Sequence, residues 1–133
     1  MAPSSPSEKA IIGAQRAQAF LGPKVLNRIQ QSARSDLPTE VSSQYIAEVC
    51  FSGYANEALT FRERSILNMG MMIALNRTPE LRIHIGAALH NGLSQEEVVE
   101  VCRHAMVYCG VPAGREALSV ASDIFATAQE AHI

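Results

Sequence analysis

Apolar residues recur along the chain at spacings of three and four, the period of a helix, and no segment shows the strict alternation of a half-buried strand. In the first half this pattern predicts helices over residues 11–20, 25–33 and 39–51, followed by a loop over residues 52–56. Gly22 and Pro23 are expected to separate the first two helices, because neither residue continues a helix easily. Thr39 is expected to cap the third helix.

The second half predicts four further helices, over residues 60–75, 78–90, 94–109 and 112–129. Thr60 with Glu63, and Ser94 with Glu97, have the spacing of a capping box, in which the two side chains satisfy the first free backbone N–H groups. Gly110 is expected to end the third of these helices. The starts of two helices are therefore marked by strong local signals.

Two elements of this half carry more specific expectations. Residues 66–75 are apolar almost all round, which indicates a central, buried helix. Gly70 in its middle is expected to let a second helix approach closely. On the next helix, Thr78 is expected to be the cap and Pro79 the first helical residue.

Composition agrees with a folded helical protein. The chain has 133 residues, of which 47% are apolar, and this is enough for a substantial core. We predict the all-α class, a compact bundle of about six to seven helices. Residues 1–8, rich in Ser and Pro, are predicted to be a disordered tail, and residues 9–133 one helical domain.

Charge and cysteine content disfavour several classes of function. The net charge is −2 without a basic cluster, so no nucleic-acid partner is expected. No apolar run reaches the roughly 18 residues of a membrane span, and no secretory signal is visible, so a cytoplasmic location is expected. The three cysteines, Cys50, Cys102 and Cys109, form no C-x-x-C pair and are expected to be small buried apolar residues.

His84 is the first candidate for chemistry, because it stands in the middle of an apolar helix between Ile83 and Ile85. Glu80 precedes it by four residues, close enough on one helix face to fix the imidazole tautomer and favour its protonated form. The alternative is a core histidine that bonds a backbone carbonyl. Metal binding is not expected, because the histidines and cysteines lack the spacing of a zinc site.

Other polar residues are weaker candidates. Arg64, at the start of the predicted buried helix, could bind a carboxylate through a two-pronged hydrogen bond, whereas Arg62 fits a solvated charge better. Tyr108 and His104, near the end of their helix, could face a pocket or simply occupy a helix end. Spacing alone does not decide among these alternatives.

Four motifs within residues 59–118 then identify a relative. They are R-x-R-S, E-L-x-x-H-I-x-x-A-L-x-N-G-L, E-E-V-x-E-V and Y-C-G-V-P followed by E-A. As a set they resemble the carboxymuconolactone decarboxylase family. The resemblance implies the alkylhydroperoxidase D-like helical fold and a homo-oligomer, usually a trimer or hexamer. It also implies a small-molecule carboxylic acid substrate, decarboxylation and no cofactor.

Two departures from the family refine this expectation. The peroxidase branch of the superfamily resembles C-x-x-C-x-x-x-H with an upstream glutamate, and those positions here are Arg77, Glu80 and Ser65, so thiol peroxidase chemistry is not expected. Members that act on carboxymuconolactone usually resemble W-G-x-x-W-x-R-P where this chain reads FSGYANEAL. A larger or less charged β-keto or aromatic acid is therefore a plausible substrate.

We interpret the chain as a decarboxylase that acts through an enolate of its own substrate. His84 is the expected acid or enolate donor, Glu80 orients it, and Arg64 anchors the carboxylate. Glu48, Tyr108 and His104 are expected to contribute to substrate binding. The alternatives are a biosynthetic enzyme of the same fold that isomerises, cyclises or hydrates through the same enolate, and a non-enzymatic oligomeric protein that binds small molecules.

Overall fold

The structure, a computed structural model, describes residues 5–130, with side chains through residue 128. Every regular element in this range is helical and none is a strand, which confirms the all-α class. The chain divides into two compact units, Met1–Ala58 and Leu59–Ile133. The single domain over residues 9–133 remains a prediction, because two compact units of this size can belong to one domain. Among the described helices, none combines the length and the apolar character that crossing a membrane requires.

The first unit begins with α1, Glu8–Ser32, which bends at the predicted break. Gly22 has φ 79° and ψ 163°, a conformation that only glycine adopts without strain, and Pro23 follows it. At the start of α1, Ser7 Oγ accepts a hydrogen bond from the Ala10 N–H at 3.1 Å. Residues 1–4 of the predicted disordered tail lie outside the described residues.

The rest of the first unit consists of α2, Leu37–Tyr45, a π-helical segment, Ile46–Phe51, and a short 3₁₀ helix, Ser52–Ala55. The prediction of Thr39 as the cap of α2 is wrong. Asp36 is the cap, and its Oδ1 accepts a hydrogen bond from the Thr39 N–H at 3.0 Å. Asp36 stands immediately before the first helical residue, Leu37, and aspartate is a favoured cap. Thr39 already lies inside the helix, because Pro38 fits the first turn.

The second unit contains α3, Phe61–Ala74, α4, Thr78–His90, α5, Gln95–Cys109, and α6, Val111–Glu130. Both predicted capping boxes are present, at Thr60 with Glu63 and at Ser94 with Glu97. Gly110, at φ 96°, ends α5 as predicted. The core of this unit is formed mainly by Met69, Ile73, Leu81, Ile85, Val98, Cys102, Val120 and Ile124.

The prediction that residues 66–75 are buried all round is wrong. Only Met69 and Ile73 within that stretch are buried, whereas Leu67 is 52% and Met71 42% exposed. A Cβ atom added at Gly70 would meet no atom within 4 Å, so the expected close approach of another helix there is also absent from the described chain. One side of α3 is therefore apolar and exposed.

Two smaller expectations are corrected as well. Thr78 is the first residue of α4 rather than its cap, and its hydroxyl donates to Glu116 Oε1 of α6 at 2.7 Å. Of the three cysteines, Cys102 is buried as expected, but Cys50 and Cys109 are exposed. Burial raises the pKa of the Cys102 thiol to about 11, so this thiol is inert as a nucleophile at neutral pH.

Candidate active site

His84 occupies the middle of α4 and is half-buried, with its Nδ1 atom removed from solvent. Leu81, Ile85 and Ala88 surround its helical position with buried apolar side chains. Burial lowers the pKa of His84 below its ordinary value of 6.5, and the Glu80 carboxylate raises it by a smaller amount. Glu80 thus favours the protonated form, as expected, but burial outweighs it, and the imidazole is neutral at pH 7.

Glu80 itself is exposed in the first turn of α4, four residues before His84. Its influence on the imidazole is electrostatic and is weakened by the surrounding solvent. Its proposed role in orienting the His84 ring stays a prediction. From this position Glu80 moderates the effect of burial on the pKa of His84 without overcoming it.

Arg64 lies in the first turns of α3, where the capping box fixes the backbone. Its N–H donates to the Thr60 carbonyl at 2.9 Å, and Thr60 also accepts from the Glu63 N–H. The guanidinium group is half-buried and its Nε atom is removed from solvent. A partly desolvated arginine on a rigid helix end is well suited to bind a carboxylate.

The separation of Arg64 and His84 follows from how α3 and α4 pair. Only three residues link these helices, so they run antiparallel as a helical hairpin. Asn91, just past the end of α4, donates from Nδ2 to Ser65 Oγ at 3.1 Å. Since His84 precedes Asn91 by seven residues, its backbone lies roughly 10 Å along the helix axis from the level of Ser65 and Arg64.

Arg62 is bonded to other parts of the chain, whereas the sequence suggests a charge that is only solvated. Its Nη1 donates to the Gly92 carbonyl at 3.1 Å, and its guanidinium forms an ion pair with Glu97. Glu97 also closes the capping box of α5 by accepting from the Ser94 N–H at 3.0 Å. Arg62 thus links the start of α3 to the α4–α5 corner.

His104 and Tyr108 lie on the exposed side of α5. Their ring centroids are 5.3 Å apart, and Tyr108 is 81% exposed. His104 borders an open apolar groove of about 680 Å³ between α3 and α5. Its lining residues are Ile66, Leu67, Gly70, Met71, Ala74, Glu100, Val101, His104, Ala105 and Cys109, and they include none from α4. The groove and His84 are therefore separate features of the second unit.

Glu48 belongs to the π-helical segment of the first unit. Its Oε1 accepts a hydrogen bond from the Ser7 hydroxyl at 3.0 Å, and its backbone carbonyl accepts from the Ser52 hydroxyl at 2.7 Å. These contacts support the start of α1 and the turn after residue 51. A role of Glu48 in substrate binding stays a prediction.

Sequence reasoning missed the polar pair Ser65 and Asn91. Ser65 is completely buried, and besides accepting from Asn91 its hydroxyl donates to the Phe61 carbonyl at 2.9 Å. A signal exists for Asn91, because a spacing of seven residues places it on the same face of α4 as His84. Asn91 also stands directly before Gly92, which is typical of a helix end. Asn91 is therefore easily interpreted as a helix-end residue alone, and its spacing to His84 is overlooked.

The second unit thus places a neutral, half-buried imidazole and a half-buried arginine on two neighbouring helices. A family model described as the carboxymuconolactone decarboxylase family matches residues 42–123, more than half of the chain. The chain belongs to this family. The matched range includes Glu48, Arg64, Glu80, His84, His104 and Tyr108.

Two curated relatives are similar to part of the chain. The 4-carboxymuconolactone decarboxylase of Acinetobacter baylyi is 32% identical over 72 residues, which cover 54% of each protein. The nitrosuccinic acid decarboxylase of Metarhizium robertsii is 39% identical over 59 residues, 44% of this chain and 41% of that protein. The aligned region spans about half the length of these relatives.

Proposed function

We propose that the protein is a decarboxylase of a small carboxylic acid that contains its own electron-accepting group. The observation that carries this proposal is the neutral imidazole of His84, half-buried on α4 of a chain that belongs to a decarboxylase-named family. The names of both curated relatives support the reaction class. On this proposal the substrate itself accepts the electron pair.

The chemistry of the two named acids defines the substrate class. A lactone has an ester carbonyl and nitrosuccinic acid has a nitro group, and either group can accept the electron pair left when CO2 departs. Nitrosuccinic acid also has a second carboxyl group, which stays on the product. We therefore favour a short dicarboxylic acid whose departing carboxylate lies near a carbonyl or nitro group.

In this mechanism the carbon–carbon bond to the carboxylate breaks, CO2 leaves, and the electron pair forms an enolate or nitronate. The neutral His84 ring donates a hydrogen bond to the developing oxyanion, which stabilises charge only where it forms. A proton from solvent then adds to carbon. Arg64 binds the carboxylate that stays on the substrate, because a guanidinium remains charged throughout the reaction.

The spacing of the two groups suits such a substrate. The roughly 10 Å between the levels of Arg64 and His84 is bridged partly by the long arginine side chain and partly by the imidazole. We infer that the space left between the two side chains suits a molecule of a few carbon atoms rather than a long chain. Glu80 limits how far burial lowers the pKa of His84. Glu48, His104 and Tyr108 are further candidates for substrate contact.

The oligomeric state belongs to the same proposal. We infer a homo-oligomer, a trimer or hexamer, in which a second copy covers the exposed apolar side of α3. Leu67, Met71 and Leu75 form a continuous exposed row there, at successive helical turns. Exposed apolar patches of this kind are typical of contact surfaces between proteins.

The test is CO2 release and product mass with 4-carboxymuconolactone and with nitrosuccinic acid. The wild type is expected to release CO2 from at least one acid, and His84→Gln to lose about 10²–10³ in turnover. His90→Gln is the matched control, since His90 is exposed on the same helix. Turnover without loss of CO2 would identify an isomerase, cyclase or hydratase instead. Full activity of folded His84→Gln would refute the role of His84.

A further inference from the structure

We propose that Ser65 and Asn91 are positioning residues that set the spacing between Arg64 and His84 and thereby the length of acid that the enzyme accepts. This inference rests on the proposed decarboxylase function. Neither residue needs to touch the substrate. Their effect is on the alignment of α3, which carries Arg64, with α4, which carries His84.

The first observation is that the Ser65 hydroxyl is buried and fully engaged. Ser65 has no exposed surface, accepts a hydrogen bond from Asn91 Nδ2 at 3.1 Å and donates to the Phe61 carbonyl at 2.9 Å. It is the buried polar residue among the described core of the chain. A buried hydrogen bond is expensive to break when it leaves a polar group desolvated, so this contact holds the two helices in one register.

The second observation is where the two residues stand relative to the proposed site. Ser65 directly follows Arg64, so any shift of Ser65 along the helix axis moves the guanidinium with it. Asn91 lies two turns after His84 on the same face of α4. The one hydrogen bond therefore joins the segment that carries the carboxylate anchor to the segment that carries the oxyanion donor.

The contacts of Arg62 fix the register of α3 and α4 less firmly than the Ser65–Asn91 hydrogen bond does. Arg62 also reaches the α4–α5 corner, through the Gly92 carbonyl and Glu97. Its side chain is 43% exposed, and exposed ion pairs fix geometry weakly. The Ser65–Asn91 hydrogen bond ends on a completely buried hydroxyl, which leaves less freedom for one helix to slide along the other.

The chemical consequence is selectivity for substrate length. If Arg64 holds the carboxylate that stays and His84 faces the developing oxyanion, their separation decides which acid places its reacting carbon correctly. A displacement of about 1 Å in such an arrangement can reduce turnover about 10²-fold. Loosening the pair should therefore change the preference between two acids that differ by one methylene group.

The experiment compares kcat/KM for CO2 release from nitrosuccinic acid and 2-nitroglutaric acid in four proteins: wild type, Ser65→Ala, Asn91→Ala and the double variant. The ratio of the two kcat/KM values is the readout, because loss of folded protein lowers both values equally. The ratio is expected to change about tenfold in each single variant, and no further in the double variant because both changes break one contact.

Thr78→Val is the matched control. It removes the 2.7 Å hydrogen bond from Thr78 to Glu116, which joins α4 to α6 and not to α3. This variant is expected to lower stability without changing the ratio. Asn91 is only partly buried, so Asn91→Ala serves if Ser65→Ala does not fold. A ratio equal to that of the wild type in folded Asn91→Ala would overturn the proposal.

A second readout does not depend on activity. The NMR titration of His84, assigned by its loss in His84→Gln, is expected to shift upward in both single variants as water reaches the loosened ring, and not in Thr78→Val. If the wild type releases CO2 from neither acid, the proposed substrates are wrong. The titration of His84 is then the only test of the positioning role of Ser65 and Asn91. An unchanged His84 titration in that case would overturn the positioning role.

Discussion

Glu80 lies one turn before His84 on α4, yet burial lowers the pKa of this imidazole more than the carboxylate raises it. Proximity of opposite charges is therefore not enough to protonate the ring. This balance affects both the titration of His84 and the stability of the protein.

We expect His84 to titrate below its ordinary pKa of 6.5, and Glu80→Gln to lower its pKa further because the opposing charge is removed. Histidine NMR would measure both values. A His84 pKa above 6.5 in the wild type would show that the ring is charged at its site and would contradict the proposed neutral donor.

The same shift makes stability depend on pH with a definite sign. The folded state disfavours the charged ring, so the unfolded chain binds the proton more readily. The contribution of His84 to stability is thus largest above pH 6.5 and falls as the pH drops through 6.5 towards the lower folded pKa. Urea unfolding at pH 7.5 and pH 5.5 should show a larger loss for the wild type than for His84→Gln. Equal losses would refute this linkage.

The role of Arg64 predicts a difference between two neighbouring arginines. Arg64→Lys keeps the charge but loses the planar fork, so KM for the acid is expected to rise about 10-fold or more. Arg62→Lys is the matched control, because Arg62 is already bonded to Gly92 and Glu97. Steady-state kinetics of CO2 release would measure both. An unchanged KM in Arg64→Lys would remove Arg64 from substrate binding.

The parts of the fold that the sequence predicts well are those fixed by neighbours along the chain. The capping boxes at Thr60 and Ser94, the bend at Gly22 and the helix end at Gly110 depend on residues within one turn. The cap of α2 fails for a local reason too, since Asp36 precedes Thr39 as a competing cap. Residues within one turn thus determine where helices begin and end, and they also explain the wrong prediction for α2.

The candidate site depends on contacts that the sequence does not reveal. Ser65 and Asn91 are 26 positions apart, and no periodic pattern links two single polar residues over that distance. The four-residue spacing correctly predicts that Glu80 favours the protonated form of His84, but it does not reveal the larger, opposite effect of burial on the pKa of the ring. The apolar character of α3 also does not distinguish a core helix from one whose apolar side is exposed.

Two glycines in helices should respond oppositely to alanine. A Cβ at Gly13 of α1 would lie 1.6 Å from the Ala47 carbonyl oxygen, so Gly13→Ala must push the π-helical segment away. We expect a loss of about 1–3 kcal/mol in the free energy of unfolding. Gly70→Ala meets no atom within 4 Å and is expected to gain up to about 1 kcal/mol. Thermal or urea unfolding that ranks the two variants the other way would contradict the backbone contact at Gly13.

The exposed row on α3 gives the test of the proposed assembly. Leu67→Lys and Met71→Lys place a charge on residues that are 52% and 42% exposed in the chain, so the folded subunit should tolerate them. In an oligomer that buries this row, the same lysines would lose their hydration and weaken the contact. Light scattering after size exclusion is expected to give a trimer or hexamer for the wild type and smaller species for both variants. Ser122→Lys, at an exposed position of α6, is the control for added charge. A monomeric wild type would refute the oligomer, and an intact oligomer in both lysine variants would move the interface away from α3.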